Sequence, residues 1–122
     1  MQNKTVIGFI GAGNMGYALI KGLINSGYPS ENIKACDLNE DLLQKRSKEF
    51  GINVYIDNAE LLKACDVVVL AVKPQVLTKV CTGLRNLITP NHLVISIVAG
   101  IRANDINRWL GGEFALVRSM PN

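Results

Sequence analysis

The stretch Thr5-Val6-Ile7-Gly8-Phe9-Ile10-Gly11-Ala12-Gly13-Asn14-Met15-Gly16 limits what the rest of this chain can fold into. It reads as an apolar strand, a tight glycine turn and the opening of a helix. Gly11, Gly13 and Gly16 carry the G-x-G-x-x-G spacing that, between a strand and a helix, holds the pyrophosphate of a dinucleotide. Gly11 can take backbone angles denied to a residue with a Cβ. Gly13 leaves room for a phosphate to approach the main chain, and Gly16 lets helix and strand pack closely. The helix then aims free N–H groups, and the positive end of its dipole, at the phosphates. Alone, the spacing describes only a glycine-rich turn. The strand before it and the amphipathic helix after it favour the dinucleotide reading.

The remaining elements follow from periodicity and punctuation. Met15, Ala18, Leu19, Gly22 and Leu23 recur at helical spacing, and small Ala18 and Gly22 are expected to bring that helix close to the sheet. A strand over residues 33–37 leads to a helix capped by Asn39 and stopped by Gly51. A third strand covers 54–56, and Asn58 opens a brief helix. Residues 66–72 are β-branched and aliphatic without alternation, as in a strand buried on both faces. Lys73-Pro74 breaks that run, and Val76, Leu77, Val80, Leu84 and Leu87 mark the next helix. A fifth strand over 93–98, a helix over 104–110 and a sixth strand over 114–118 complete the chain. Strands alternating with helices across short loops predict an α/β fold, a doubly wound parallel sheet of Rossmann type with strand order 3-2-1-4-5-6. Residues 1–122 form one such domain.

Composition removes other classes. Apolar residues make up 48% and charged residues 19%, a globular balance. No apolar run reaches the roughly 18 residues that span a bilayer, so no membrane partner is expected. Residues 1–10 hold one Lys and no small-residue cleavage site, so no signal peptide is expected. The net charge of +3 is spread without a basic stripe, which argues against a nucleic-acid partner. Cys36, Cys65 and Cys81 match neither a disulfide framework nor a metal site and fit buried, reduced thiols in a cytoplasmic protein.

In this fold the ligand lies across the carboxyl ends of the strands, where the order reverses. The strand ends nominate Gly11 to Gly16, Asp37, Ala71-Val72-Lys73-Pro74, Ala99-Gly100 and Met120-Pro121-Asn122. Asp37 stands where an acidic residue bonds the adenosine ribose hydroxyls of NAD(H). A 2′-phosphate about 4 Å away would be repelled by ~4 kcal/mol at an effective dielectric near 20. Lys34, Lys45 or Arg46 could offset that charge, and Asp37 could equally open an Asx turn before the next helix. Lys73 could face a ribose or a substrate carboxylate, or simply shape its loop. His92 falls on the opposite edge of the sheet and is rejected as a general acid, and Trp109 reads as packing. No metal cluster and no catalytic set of side chains converges, so the catalytic acid stays unassigned.

Three stretches resemble pyrroline-5-carboxylate reductase along the whole length of the chain. They are Ile7-Gly8-Phe9-Ile10-Gly11-Ala12-Gly13-Asn14-Met15-Gly16, Val68-Val69-Leu70-Ala71-Val72-Lys73-Pro74-Gln75 and Val117-Arg118-Ser119-Met120-Pro121-Asn122. The first is shared with other dehydrogenases; the second and third are much more specific. The resemblance implies NAD(P)H-dependent reduction of the ring imine of 1-pyrroline-5-carboxylate to proline, the last step of proline biosynthesis. By the same resemblance, Gly11, Gly13, Asn14, Met15 and Gly16 hold the pyrophosphate and Asn58 reaches the adenosine ribose. Ala71, Val72, Lys73 and Pro74 line the nicotinamide ribose, Ala99 and Gly100 the nicotinamide, and Met120, Pro121 and Asn122 border the substrate pocket. Asp37 departs from the NADPH default of the family, and Gly16 departs mildly where alanine is frequent, glycine and alanine both being small.

Members of that family continue past Met-Pro-Asn into a helical domain that dimerises and completes the substrate site. This chain is therefore expected to supply the cofactor-binding half, to be inactive alone, and to form a homo-oligomer only in a longer chain. Two alternatives are a non-catalytic dinucleotide-binding module and a hydroxyacid dehydrogenase-type reductase. The latter lacks the Lys-Pro-Gln found here after strand four.

Overall fold

Short runs of β-branched and aliphatic residues, each closed by a polar or glycine-containing loop, produce six strands. The computed structural model describes residues 5–119. The strands are β1 (Ile7–Ile10), β2 (Ile33–Cys36), β3 (Asn53–Tyr55), β4 (Val67–Leu70), β5 (Leu93–Ser96) and β6 (Ala115–Arg118). All neighbours pair in parallel, in the order β3-β2-β1-β4-β5-β6, as the alternation of elements predicted. The register sets Ile7 against both Ile33 and Val67, so β1 lies at the centre of the reversal. The crossovers are α1 (Asn14–Asn25), α2 (Glu40–Phe50), α3 (Asn58–Ala64), α4 (Pro74–Gly83) and α5 (Ala103–Leu110).

Side chains alternate across the pleat and feed two apolar layers. On one face Ile10, Val68, Leu70 and Val94 meet Leu61 and Leu62 of α3, Leu77 and Cys81 of α4, and Ile106 and Leu110 of α5. On the other, Phe9, Ile33, Ala35 and Val69 meet Ile20 of α1 and Leu43 of α2. Two of the helix starts, those of α2 and α3, use local acceptors for first-turn N–H groups. The Asn39 side chain accepts from Leu42 N at 3.1 Å, and the Asp57 side chain accepts from Ala59 N at 2.9 Å. Pro74 takes the first position of α4, where no N–H is needed.

Two expectations about helix faces fail. Ala18 and Gly22 are exposed, and α1 buries Gly16 and Ile20 instead. A Cβ at Gly22 would meet nothing within 4 Å, so its smallness brings no helix nearer the sheet. The contact at Gly16 sets how α1 is rotated, and the apolar stripe of the sequence was wide enough to allow either face. Val76 of α4 is likewise exposed and turned away from the core; Leu77 and Cys81 are the buried positions.

Leu61 is fully buried and Leu38 is 91% exposed. Leu61→Ala is expected to cost about 2–5 kcal/mol, with its removed volume left as a cavity. Leu38→Ala should stay within about 0.5 kcal/mol of the parent, as surface changes do. Urea unfolding of the two variants checks both.

Candidate functional site

The parallel strands present all their carboxyl ends along one edge, and the reversal between β1 and β4 opens a crevice there. It is a cavity of about 480 Å³ whose walls include Gly11, Gly13, Asp37, Asn58, Ala71, Val72 and Lys73. That is within the usual range for a small-molecule site. The sequence therefore brought residues from four separate loops to one place.

The glycine turn is built by close contacts. Gly11 has φ +108, and a Cβ there would lie 2.4 Å from the Ala71 carbonyl oxygen, so the turn rests on the end of β4. Gly11 N donates to Cys36 O at 2.9 Å, which ties the same residue to the end of β2. A Cβ on Gly16 would come 2.4 Å from the Gly11 carbonyl oxygen. Alanine at position 16 is thus not equivalent to glycine in this chain, whatever the frequency of alanine in the family it resembles. A Cβ on Gly13, by contrast, would meet nothing within 4 Å, because its open side faces the cavity.

The head of α1 has no side-chain cap. The N–H groups of Gly13, Asn14, Met15 and Gly16 find no acceptor among the described residues. Four unpaired donors at the positive end of a 12-residue helix suit an anion. Asn14 and Met15 are exposed at this head, Gly16 is buried beneath the turn, and Gly13 is on the cavity wall.

Ala12, between the first two glycines, is gripped on both sides. Asp37 Oδ2 accepts its N–H at 2.8 Å, while Arg46 Nε donates to its carbonyl at 2.9 Å. Asp37 Oδ1 accepts from Asn39 N at 2.9 Å, which is the Asx turn considered from the sequence. Asp37 is also on the cavity wall, so turn-forming and wall-forming roles coexist. Arg46 is only 9% exposed, and its guanidinium carbon lies 4.4 Å from the centroid of the Tyr17 ring. The Tyr17 hydroxyl donates in turn to Glu49 Oε2 at 2.7 Å. Arg46 is therefore held beneath the glycine turn and does not stand free to meet a ribose phosphate.

Asn58 lies on the cavity wall, and its Oδ1 accepts from the Cys36 thiol at 3.0 Å. Burial pushes the Cys36 thiol up to about 11, with the charges of Asp37 and Asp57 adding to the shift, so it stays a donor at neutral pH. Burial also holds Cys65 and Cys81 at about 11, as inert thiols. Lys73 and Lys79 stand on the wall, and neither forms an ion pair among the described residues. Leu38, Ile56 and Val76, three of the five exposed large apolar side chains among the described residues, are on the same wall. Sequence reasoning missed these three because Val76 fits the core stripe of its helix, and a single apolar residue such as Leu38 or Ile56 at a strand end carries no periodic signal. It missed Lys79 because a helix lysine is usually only solvated.

Ala99 and Gly100 are exposed beyond β5 and do not line the cavity. Met120, Pro121 and Asn122 lie outside the described residues. His92 is buried at the opposite edge, where Nδ1 accepts from Thr89 N at 3.0 Å and Nε2 donates to Leu62 O at 2.9 Å. Both ring nitrogens are engaged in packing, which agrees with its rejection as a general acid. Trp109 packs against the α3–α5 core layer.

Residues 6–100 match the family described as NADP oxidoreductase, coenzyme F420-dependent. The chain is 45% identical over 116 residues to a pyrroline-5-carboxylate reductase of Pseudomonas aeruginosa, covering 95% of this chain and 42% of the relative. Its fold superposes on a pyrroline-5-carboxylate reductase of Coxiella burnetii with a TM-score of 0.92 at 38% identity, covering 98% of this chain and 45% of the other. A Plasmodium falciparum pyrroline carboxylate reductase with NADP bound gives 0.83 at 30% identity, covering 98% and 43%. The resemblance carried by the three motifs thus extends along the chain, which spans less than half the length of these relatives.

Gly16→Ala is expected to destabilise by about 1–3 kcal/mol, because the added methyl must displace the Gly11 carbonyl. Gly13→Ala should leave the unfolding midpoint nearly unchanged, since its Cβ enters open space. Paired thermal melts of the two variants check the contrast.

Proposed function

We propose that this chain, which belongs to the NADP oxidoreductase, coenzyme F420-dependent family, is the cofactor-binding part of a pyrroline-5-carboxylate reductase. The observation that carries the reading is the set of unpaired N–H groups at the head of α1, beside a glycine turn that opens on the cavity. Those donors fit a pyrophosphate, and the open side of Gly13 leaves it a path to the main chain. Gly11, Gly13, Asn14, Met15 and Gly16 hold the diphosphate. Asp37 and Asn58 face the adenosine ribose. Ala71, Val72, Lys73 and Pro74 face the nicotinamide ribose. Ala99 and Gly100 are assigned to the nicotinamide, and Met120, Pro121 and Asn122 to the substrate border, on family resemblance alone. When bound, the nicotinamide supplies a hydride for reduction of a ring imine to proline, and this chain's residues orient it and exclude water.

The apolar trio Leu38, Ile56 and Val76 suits a purine face, being exposed and turned to the cavity. For the choice between NADH and NADPH the wall gives opposing charges. Asp37 disfavours a 2′-phosphate, but both its oxygens already accept backbone N–H groups, which offset part of its charge. Lys73 and Lys79 add positive charge to the same cavity, and the Plasmodium relative holds NADP. Our reading is that both cofactors bind.

The test is proline formation from 1-pyrroline-5-carboxylate by the protein of the full reading frame, with NADH and NADPH supplied separately. Turnover with either supports the assignment, and none with both refutes it. For the chain itself, calorimetric titration should detect NADH and NADPH within about a hundredfold of each other. A larger preference for NADPH would mean that Asp37 does not face the ribose. Leu38→Ala should weaken both cofactors alike by about threefold to tenfold, the ~1 kcal/mol of a partly covered apolar side chain.

A further inference from the structure

Arg46 is a buried cation without a carboxylate within ion-pair distance among the described residues. Burying a charge in that way is costly unless something answers it. Two groups do so in part: the Ala12 carbonyl, 2.9 Å from Nε, and the face of Tyr17, 4.4 Å from the guanidinium carbon. Glu49 touches the cluster only through the Tyr17 hydroxyl. Among the described residues no carboxylate stands at ion-pair distance, and Asp37 bonds the N–H of Ala12 rather than the guanidinium.

The position of the contact is what gives it a function. The carbonyl that Arg46 bonds belongs to the peptide unit whose other end is the N–H of Gly13. That N–H has no acceptor among the described residues, and Gly13 lines the cavity. A cationic donor on the carbonyl draws electron density along the peptide and makes the Gly13 N–H a stronger donor. Asp37 holds the preceding peptide by the Ala12 N–H at 2.8 Å, so the turn cannot rotate to relieve the pull. We infer that Arg46 is a positioning residue for the bound diphosphate. It fixes the Ala12–Gly13 peptide and sets a permanent positive charge behind it, and the diphosphate is the counter-charge that the buried guanidinium lacks. This rests on the dinucleotide reading above and adds to it a residue from α2, outside the glycine motif.

The test compares ADP-ribose, which carries the diphosphate, with adenosine, which does not, by calorimetry on the full chain. Arg46→Gln removes the charge while keeping a donor, and Arg46→Lys keeps the charge. ADP-ribose should weaken about tenfold in Arg46→Gln and less than threefold in Arg46→Lys, with adenosine within twofold throughout. Equal weakening of both ligands would reduce Arg46 to a fold-stabilising residue, and so would equal losses in the Gln and Lys variants. An unchanged ADP-ribose affinity in Arg46→Gln would overturn the proposal. One measurement needs no variant: in the unsubstituted chain the Arg46 Nε–H resonance should shift on adding ADP-ribose and stay fixed with adenosine. A resonance that ADP-ribose leaves in place overturns the proposal even if the variants fail to fold. Failure of the parent chain to bind ADP-ribose at all would instead refute the dinucleotide reading, and this inference with it.

Discussion

Everything at the functional edge depends on two places where backbone meets backbone with no room for a methyl group. Gly11 lies against the Ala71 carbonyl, and Gly16 lies against the Gly11 carbonyl. The first contact seats the turn on β4, and the second seats α1 on the turn. Together they fix the direction in which α1 points its unpaired N–H groups, which is into the crevice between β1 and β4. A turn with side chains at these positions would lift α1 away, and the donors would aim at solvent. Most of the two apolar layers of the sheet is built by other residues, although Ala71 belongs to one of them. The Gly16 contact therefore serves both the stability of the fold and the geometry of the site.

Charge then refines what sterics set. Asp37, just after β2, and Arg46, within α2, take the two polar groups of a single residue, Ala12. Opposite charges placed on the donor and the acceptor of one residue oppose its rotation about both flanking peptides. Neither side chain needs to touch a ligand to matter. An acid after the second strand is commonly read as a ribose-binding group, but here half of its hydrogen-bonding capacity goes to forming the turn. The same residue type at the same place can serve either end, and spacing alone cannot separate them.

That limit shows what was legible in the sequence. Strand order, element sequence and the location of the crevice were readable, because unbroken apolar runs such as 66–72 have few ways to be buried and the glycine spacing marks the first turn. Helix rotation was not. The stripe Met15, Ala18, Leu19, Gly22, Leu23 competes with the stripe through Gly16, Ile20 and Leu23, and only the Gly16 contact decides between them. The sequence named Arg46 only as a cation that could offset a 2′-phosphate, and its burial was hidden for a related reason. A charged residue on a helix reads as solvated, and nothing local says that Tyr17, on another helix, will cover it. Cys36 read correctly as a buried thiol, yet its bond to the Asn58 amide depends on the end of β2 lying beside the start of α3.

The walls of the crevice divide the work in a way that follows from burial. Side chains needed for folding are out of solvent, and Leu61, Leu70, Leu77 and Ile106 are all fully buried. Leu38 and Ile56, at 91% and 57% exposed, contribute almost nothing to that core. Large apolar groups left in water at a concave site gain free energy only when something covers them, at about 25 cal/mol per Å² of apolar area. The end of the site at the head of α1 is polar and carries backbone donors. The far wall is apolar and tolerant in shape, with Lys73 and Lys79 interrupting it. A ligand with a compact anionic centre and flat, largely apolar ends answers both halves at once, whereas a simple anion would leave the apolar wall uncovered.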